Sequence, residues 1–199
     1  MLKVKAIQLN VQEYYKWASG WRSPIYCDNR KTLSFPEVRS EIAEQFAWII
    51  REKFPNTTCI AGVATGGIAH GALVAQLLHL PFIYVRSSPK GHGLGNQIEG
   101  FYNESEKVIV VEDLVSSGMS SLKAVKVLRD QGLSVQGMLS IFDYGFDVAK
   151  AAMDKNKCKL YSLSDYDHLL KKAVANKYIA KEMLPTLNKW RENPSKWKP

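Results

Sequence analysis

Residues 108–120 read VIVVEDLVSSGMS. Four apolar residues run straight into Glu112 and Asp113, followed by Leu114, Val115, Ser116, Ser117 and Gly118. The apolar run predicts a buried strand over residues 108–111, which sets both acids at its C-terminal edge. Carboxylates there can accept hydrogen bonds from sugar hydroxyls. Residues 115–118 then wrap into a helix, where backbone N–H groups and serine hydroxyls can surround a phosphate at the helix N-terminus. Gly118 allows a close approach that a side chain would block. One element would thus hold a sugar by its hydroxyls and by its phosphate. Either half alone reads more plainly as an acidic strand end or a serine cap; the two in succession favour the ligand. The stretch is not a P-loop, since no Gly-Lys-Ser/Thr follows four variable residues, and it is not GxGxxG.

The elements that must position these groups are legible around it. The chain has 199 residues, 46% of them hydrophobic, enough for one ordinary domain with a core and too apolar for disorder. Ser34-Phe35-Pro36-Glu37 reads as a capping box, and Val38, Ile42, Phe46 and Ile49–Ile50 follow at helical spacing up to Phe54-Pro55. TCIAGVA reads as a buried strand that breaks at Thr65-Gly66-Gly67 into a helix ending near His79. FIYV is a strand, SSPKGHGLGNQ a mobile loop, KVIVV a strand, and SLKAVKVLRDQ a helix stopped by Gly132. SVQGMLSIFDY, a helix over about 146–155, CKLYSL and C-terminal helices complete the order. Strands alternating with helices predict an α/β fold with a largely parallel sheet covered on both faces. Ligands bind beyond the C-terminal strand ends of such sheets. Three of those ends carry unusual chemistry: residues 64–67, 112–118 and the loop after Val85.

Composition limits the function. The net charge of +8 suits anionic partners: nucleic acid, acidic lipid or phosphorylated metabolites. Part of the excess lies in KYIAKEMLPTLNKWRENPSKWKP, which reads as a solvated helix and basic tail. No apolar run approaches the roughly 20 residues of a membrane helix, and MLKVKAIQLN does not read as a signal peptide. Cys27, Cys59 and Cys158 are odd in number and widely spaced, which fits reduced thiols in a cytoplasmic protein, and no Cys/His cluster suggests zinc.

VIVVEDLVSSGMS resembles the phosphoribosyl pyrophosphate motif of type I phosphoribosyltransferases. Further segments narrow the resemblance to the orotate phosphoribosyltransferases. ASGWRSPIYCDNR resembles their N-terminal orotate-side segment, GVATGGIAHG their pyrophosphate loop, and YVRSSPKGHGLGNQIEG their mobile catalytic loop. The resemblance implies a type I phosphoribosyltransferase fold over 1–199 as a single domain. Its small N-terminal hood would lie in about 1–35 and its core in about 56–165. It departs from the family pattern at Ala18, Gly66, Ser87 and Tyr144, where some members carry lysine, lysine, a second basic residue and arginine. The N-terminus reads as shortened, as if it began inside the family's first helix.

The resemblance implies reversible, Mg²⁺-dependent transfer of phosphoribose from 5-phosphoribosyl 1-pyrophosphate to orotate, in a cytoplasmic homodimer with shared active sites. Lys90 and His92 would be the catalytic pair. Phosphoribosyl pyrophosphate would be bound by Arg86, Lys90, His92, Glu112, Asp113, Leu114, Val115, Ser116, Ser117, Gly118, Met119 and Ser120. Its pyrophosphate would face Thr65, Gly66 and Gly67. Ser116 and Tyr26 would meet orotate. Mg²⁺ would be held mainly by substrate and water, with no direct protein ligand, and neither nucleic acid nor membrane is an expected partner. Two alternatives stay open: a purine-salvage phosphoribosyltransferase, which would not need GWRSPIYCDNR, and a regulator that senses phosphoribosyl pyrophosphate without turnover.

Overall fold

The computed structural model describes residues 1–17, 20–89 and 97–197. Four short strands come first: β1 (Ile7–Leu9), β2 (Tyr15–Lys16), β3 (Arg22–Ser23) and β4 (Ile25–Cys27). β1 pairs antiparallel with β4, and β2 with β3. A 3-10 turn, Asn29–Ser34, delivers the chain to α1 (Pro36–Lys53). The expected Ser34 capping box does not form. Phe35 takes the N-cap position instead, and its ring has no acceptor to cap with; its N–H closes the 3-10 turn on the Thr32 carbonyl. Pro36 opens the helix, where its missing N–H costs nothing.

The remainder alternates: β5 (Cys59–Val63), α2 (Gly66–Leu78), β6 (Phe82–Val85), β7 (Ile98–Glu99), β8 (Lys107–Val115), α3 (Met119–Asp130), β9 (Ser134–Asp143), α4 (Asp147–Lys155), β10 (Leu160–Asp165), α5 (Tyr166–Ala175) and α6 (Leu184–Glu192). Among the described residues these strands form one sheet, in the order β10-β9-β8-β5-β6-β7. Its pairings are parallel except for the edge pair β6–β7. Val108, Ile109, Val110 and Val111 are all fully buried, and alternation along β8 sends them to opposite faces. Val108 and Val110 pack with Leu122, Val125, Leu128 and Met153 of α3 and α4. Ile109 and Val111 pack with Ile42, Phe46, Ile50 and Val74 of α1 and α2. Each such side chain contributes about 2 kcal/mol by leaving water, which fixes β8 at the centre and its C-terminal end where both layers open.

A third apolar cluster joins the two ends of the chain. Ile7 and Ile25 pack with Phe142, Tyr144, Tyr166, Leu169, Leu187 and Trp190. The C-terminal segment is therefore not simply the solvated helix expected from its charge. Leu187 and Trp190, three apart, give α6 a buried face, and the Trp190 indole N–H donates to the Arg22 carbonyl at 3.1 Å. The hood is braced by the far end of the sequence.

Candidate active site

β8 runs four residues beyond its apolar stretch, to Val115, because β9 continues beside it: Leu114 pairs with Phe142 and Val115 with Asp143. Glu112 and Asp113 thus lie within the strand rather than at its edge, with their carboxyl groups near enough to interact. Glu112 is 5% exposed. Its Oε1 accepts from the Asp113 N–H at 3.0 Å, and its Oε2 from the Ser121 hydroxyl at 2.8 Å. Burial first, and then the neighbouring Asp113, push its carboxyl up to about 8. Val115 is buried in the core, so only its backbone is available to a ligand, and Leu114 packs against the hood cluster.

Asp113 is half-buried and rests on the N-terminus of α2. A Cβ built on Gly66 would lie 2.2 Å from Asp113 Cγ, and one on Gly67 would lie 2.2 Å from the Val111 carbonyl oxygen. The Gly-Gly pair is thus explained by close approach to β8. The lysine that the family pattern suggests for position 66 would have its Cβ inside the Asp113 carboxylate. Thr65 precedes the pair and is exposed. Gly118, at φ +73°, caps α3 in the left-handed region. Ser116 and Ser117 before it are half-buried, and Met119 and Ser120 after it are exposed. Two helix N-termini, each carrying partial positive charge, therefore flank the end of β8.

Arg86 follows β6. Its guanidinium donates to Glu99 Oε1 at 3.2 Å, its N–H to the Gln97 carbonyl at 2.9 Å, and the Gln97 side-chain amide returns a bond to the Arg86 carbonyl at 2.8 Å. The two stems of the segment between them are fastened together. Lys90 and His92 lie outside the described residues, as does Ala18.

On the hood side, Tyr26 is 36% exposed, with its ring 5.5 Å from that of Tyr15. Burial, then Asp113 and Asp28, raise the Cys27 thiol, so it sits protonated as packing. Tyr144 is 1% exposed, stacked on Phe146 at 5.3 Å and tilted against Trp17 at 5.1 Å. It is a packing residue and supplies no charge where some family members have arginine. The sequence reading missed Asn29, Thr32 and His70, polar residues that are wholly buried behind Asp113. Their types carry no periodic signal, and only the fold brings α2 to the 3-10 turn. A mainly apolar cavity of about 830 Å³, lined by Met1, Leu2, Phe35, Val38, Leu169 and Tyr178 among others, shares none of the predicted site residues.

The chain was compared with known proteins. The model of the phosphoribosyl transferase domain matches residues 32–166. The chain is similar to an orotate phosphoribosyltransferase from Cytophaga hutchinsonii, 51% identical over 198 residues that span 100% of this chain and 95% of that one. One from Porphyromonas gingivalis is 50% identical over 197 residues, 99% of this chain and 94% of the other. Among solved structures, an orotate phosphoribosyltransferase from Aeropyrum pernix matches with a TM-score of 0.77 at 30% identity, over 86% of this chain and 94% of that one.

Proposed function

The chain belongs to the orotate phosphoribosyltransferase family, and from that premise we propose how its own residues carry the reaction. N1 of orotate bonds to C1 of the phosphoribosyl group as the bond from C1 to pyrophosphate breaks, and the N1 proton leaves to pyrophosphate or water, giving orotidine 5′-monophosphate for pyrimidine biosynthesis. C1 becomes cationic in transit. Such a step needs orientation, neutralisation of the leaving group and exclusion of water rather than a protein nucleophile.

The observation that carries the assignment is Asp113 packed over Gly66, between the N-termini of α2 and α3. Asp113 accepts from the ribose hydroxyls. Ser116, Ser117 and the backbone N–H groups of 116–120 hold the 5′-phosphate at the start of α3. Thr65, Gly66 and Gly67 face pyrophosphate at the start of α2. Glu112, enclosed and bound to Ser121, supports Asp113 from beneath. Tyr26 packs on the base, and Ser116 lies between base and phosphate. Arg86, Lys90 and His92 are assigned the role of neutralising the leaving group.

Mg²⁺ belongs with this reading. Among the described residues no three acidic, His or Cys side chains converge on a common point. A single half-buried carboxylate, Asp113, suits an ion that keeps substrate oxygens and waters as its ligands, with Asp113 acting through them. Bound there, Mg²⁺ would neutralise charge on the pyrophosphate. The reading also makes the protein a cytoplasmic homodimer; its described cysteines are free thiols, and no described helix is long and apolar enough to cross a membrane.

Orotate loss, followed by absorbance with phosphoribosyl pyrophosphate and Mg²⁺, tests the proposal. Orotidine 5′-monophosphate and pyrophosphate should appear in equal amounts, chelation should stop the reaction, and adenine, hypoxanthine and uracil should be inert. Turnover of a purine without turnover of orotate would overturn it.

A further inference from the structure

Asn29, Thr32 and His70 are each 0% exposed. Asn29 sits at the start of the 3-10 turn, directly after the orotate-side strand β4, and its side-chain amide donates to the Asp113 main-chain carbonyl at 2.6 Å, across 84 residues of sequence. Its Oδ1 accepts the Cys27 thiol at 3.2 Å. Its own carbonyl accepts the Thr32 hydroxyl at 2.6 Å. That uses the hydroxyl's one proton, so at the 3.3 Å contact between Thr32 Oγ1 and His70 Nε2 the imidazole must donate. His70 is thereby assigned its proton on Nε2, and its Nδ1 has no partner among the described residues. Burial lowers the imidazole's pKa, which agrees with a neutral ring.

The arrangement is a strap. α2 holds His70, His70 holds Thr32, Thr32 holds the backbone of Asn29, and Asn29 holds the main chain of Asp113. Asp113 in turn rests its carboxylate on the first residue of α2. The loop closes on itself and contains the acid that meets the sugar. A surface hydrogen bond could be exchanged for water, but Asn29, Thr32 and His70 are fully enclosed, so a lost partner among them leaves a buried polar group unsatisfied.

We propose that Asn29 is a positioning residue: it sets the orientation of Asp113 and so locks the orotate-side segment and the phosphoribosyl site into one unit. The inference rests on the orotate phosphoribosyltransferase reading. It is specific about mechanism, because Asn29 acts only through Asp113 and touches no substrate.

A double-mutant cycle decides it. Asn29→Ala should lower kcat/KM for phosphoribosyl pyrophosphate about tenfold, the scale of one enclosed hydrogen bond, while Asn29→Asp, which turns an acceptor toward a carbonyl, should lower it further. In an Asp113→Asn background, with no carboxylate left to orient, Asn29→Ala should cost less than twofold. The same about tenfold loss in both backgrounds would reveal only general loosening and overturn the proposal. Equal rates for wild type and Asn29→Ala would also overturn it. If Asn29→Ala does not fold, Thr32→Val, which removes the hydroxyl holding the Asn29 carbonyl, is read in the same cycle against the same two outcomes. A wild type that turns over no orotate would overturn the functional reading and this proposal together. Turnover with additive losses would overturn this proposal alone.

Discussion

A methyl group added at Gly66 would sit 2.2 Å from Asp113 Cγ, closer than any real side-chain contact. Either the helix start or the carboxylate must move. Gly66→Ala should therefore cost about 1–3 kcal/mol in denaturant unfolding and raise KM for phosphoribosyl pyrophosphate; unchanged stability together with unchanged kinetics would contradict the packing described. Glu112 gives a second residue-scale test, through pH. Its folded pKa is raised from 4.5 to about 8, so the fold prefers it protonated. A group raised in this way supports the fold fully below its ordinary value and loses that support as pH rises through the folded value. Wild type should lose stability relative to Glu112→Gln between pH 4.5 and about 8. The loss should be at most about 1.4 kcal/mol per pH unit, the limit for one proton. Paired urea unfolding curves across that window measure it; a flat difference would mean that Glu112 is ionised throughout.

At the scale of elements, α6 carries more of the hood than its charge suggests. Trp190 is fully buried, lies within 6 Å of the rings of Trp17, Tyr144, Phe146 and Tyr166, and donates to the Arg22 carbonyl. Trp190→Ala should cost about 3–5 kcal/mol, read by thermal or urea unfolding, whereas Trp190→Phe should cost clearly less. A loss under 1 kcal/mol for the alanine variant would mean that α6 is dispensable to the fold. This brace also marks where the sequence was hard to read. β5, β8, α2 and α3 were legible because unbroken apolar runs meet glycines, and those signals are local. The extra length of β8 was not, since Glu112 and Asp113 are poor strand residues held there by pairing with β9. The Ser34 cap is lost for a different reason: the 3-10 turn runs through Ser34 and moves the N-cap one residue on, to Phe35. Tyr144 looked like a departure at a binding position and proved to be packing. Asn29, Thr32 and His70 read as ordinary polar residues because a buried polar network is defined by its partners, which lie on different elements.

At the scale of the whole molecule, the proposed twofold dimer leads to a result that no single-chain model produces. In that arrangement the segment between Arg86 and Gln97 reaches into the neighbouring subunit's site, while Asp113 stays in its own. The fastened stems at Arg86 and Gln97 fix where the segment leaves the sheet, beside the antiparallel edge pair β6–β7. Lys90→Ala should lower kcat more than it raises KM, since a cation brought to the leaving group acts mainly in the transition state. Asp113→Asn removes the carboxylate that holds the sugar. Each variant alone should be nearly inactive at every concentration. Mixed in equal amounts and allowed to exchange, half the dimers should contain one chain of each kind. Every mixed dimer then holds one site with both defects and one with neither. Activity should recover to about a quarter of wild type at complete exchange, as twofold symmetry requires. Native mass spectrometry of differently tagged chains checks that exchange has taken place. Verified mixed dimers with no recovered activity would mean that each chain's segment closes over its own site, and the shared-site arrangement would fall while the roles of Lys90 and Asp113 stood.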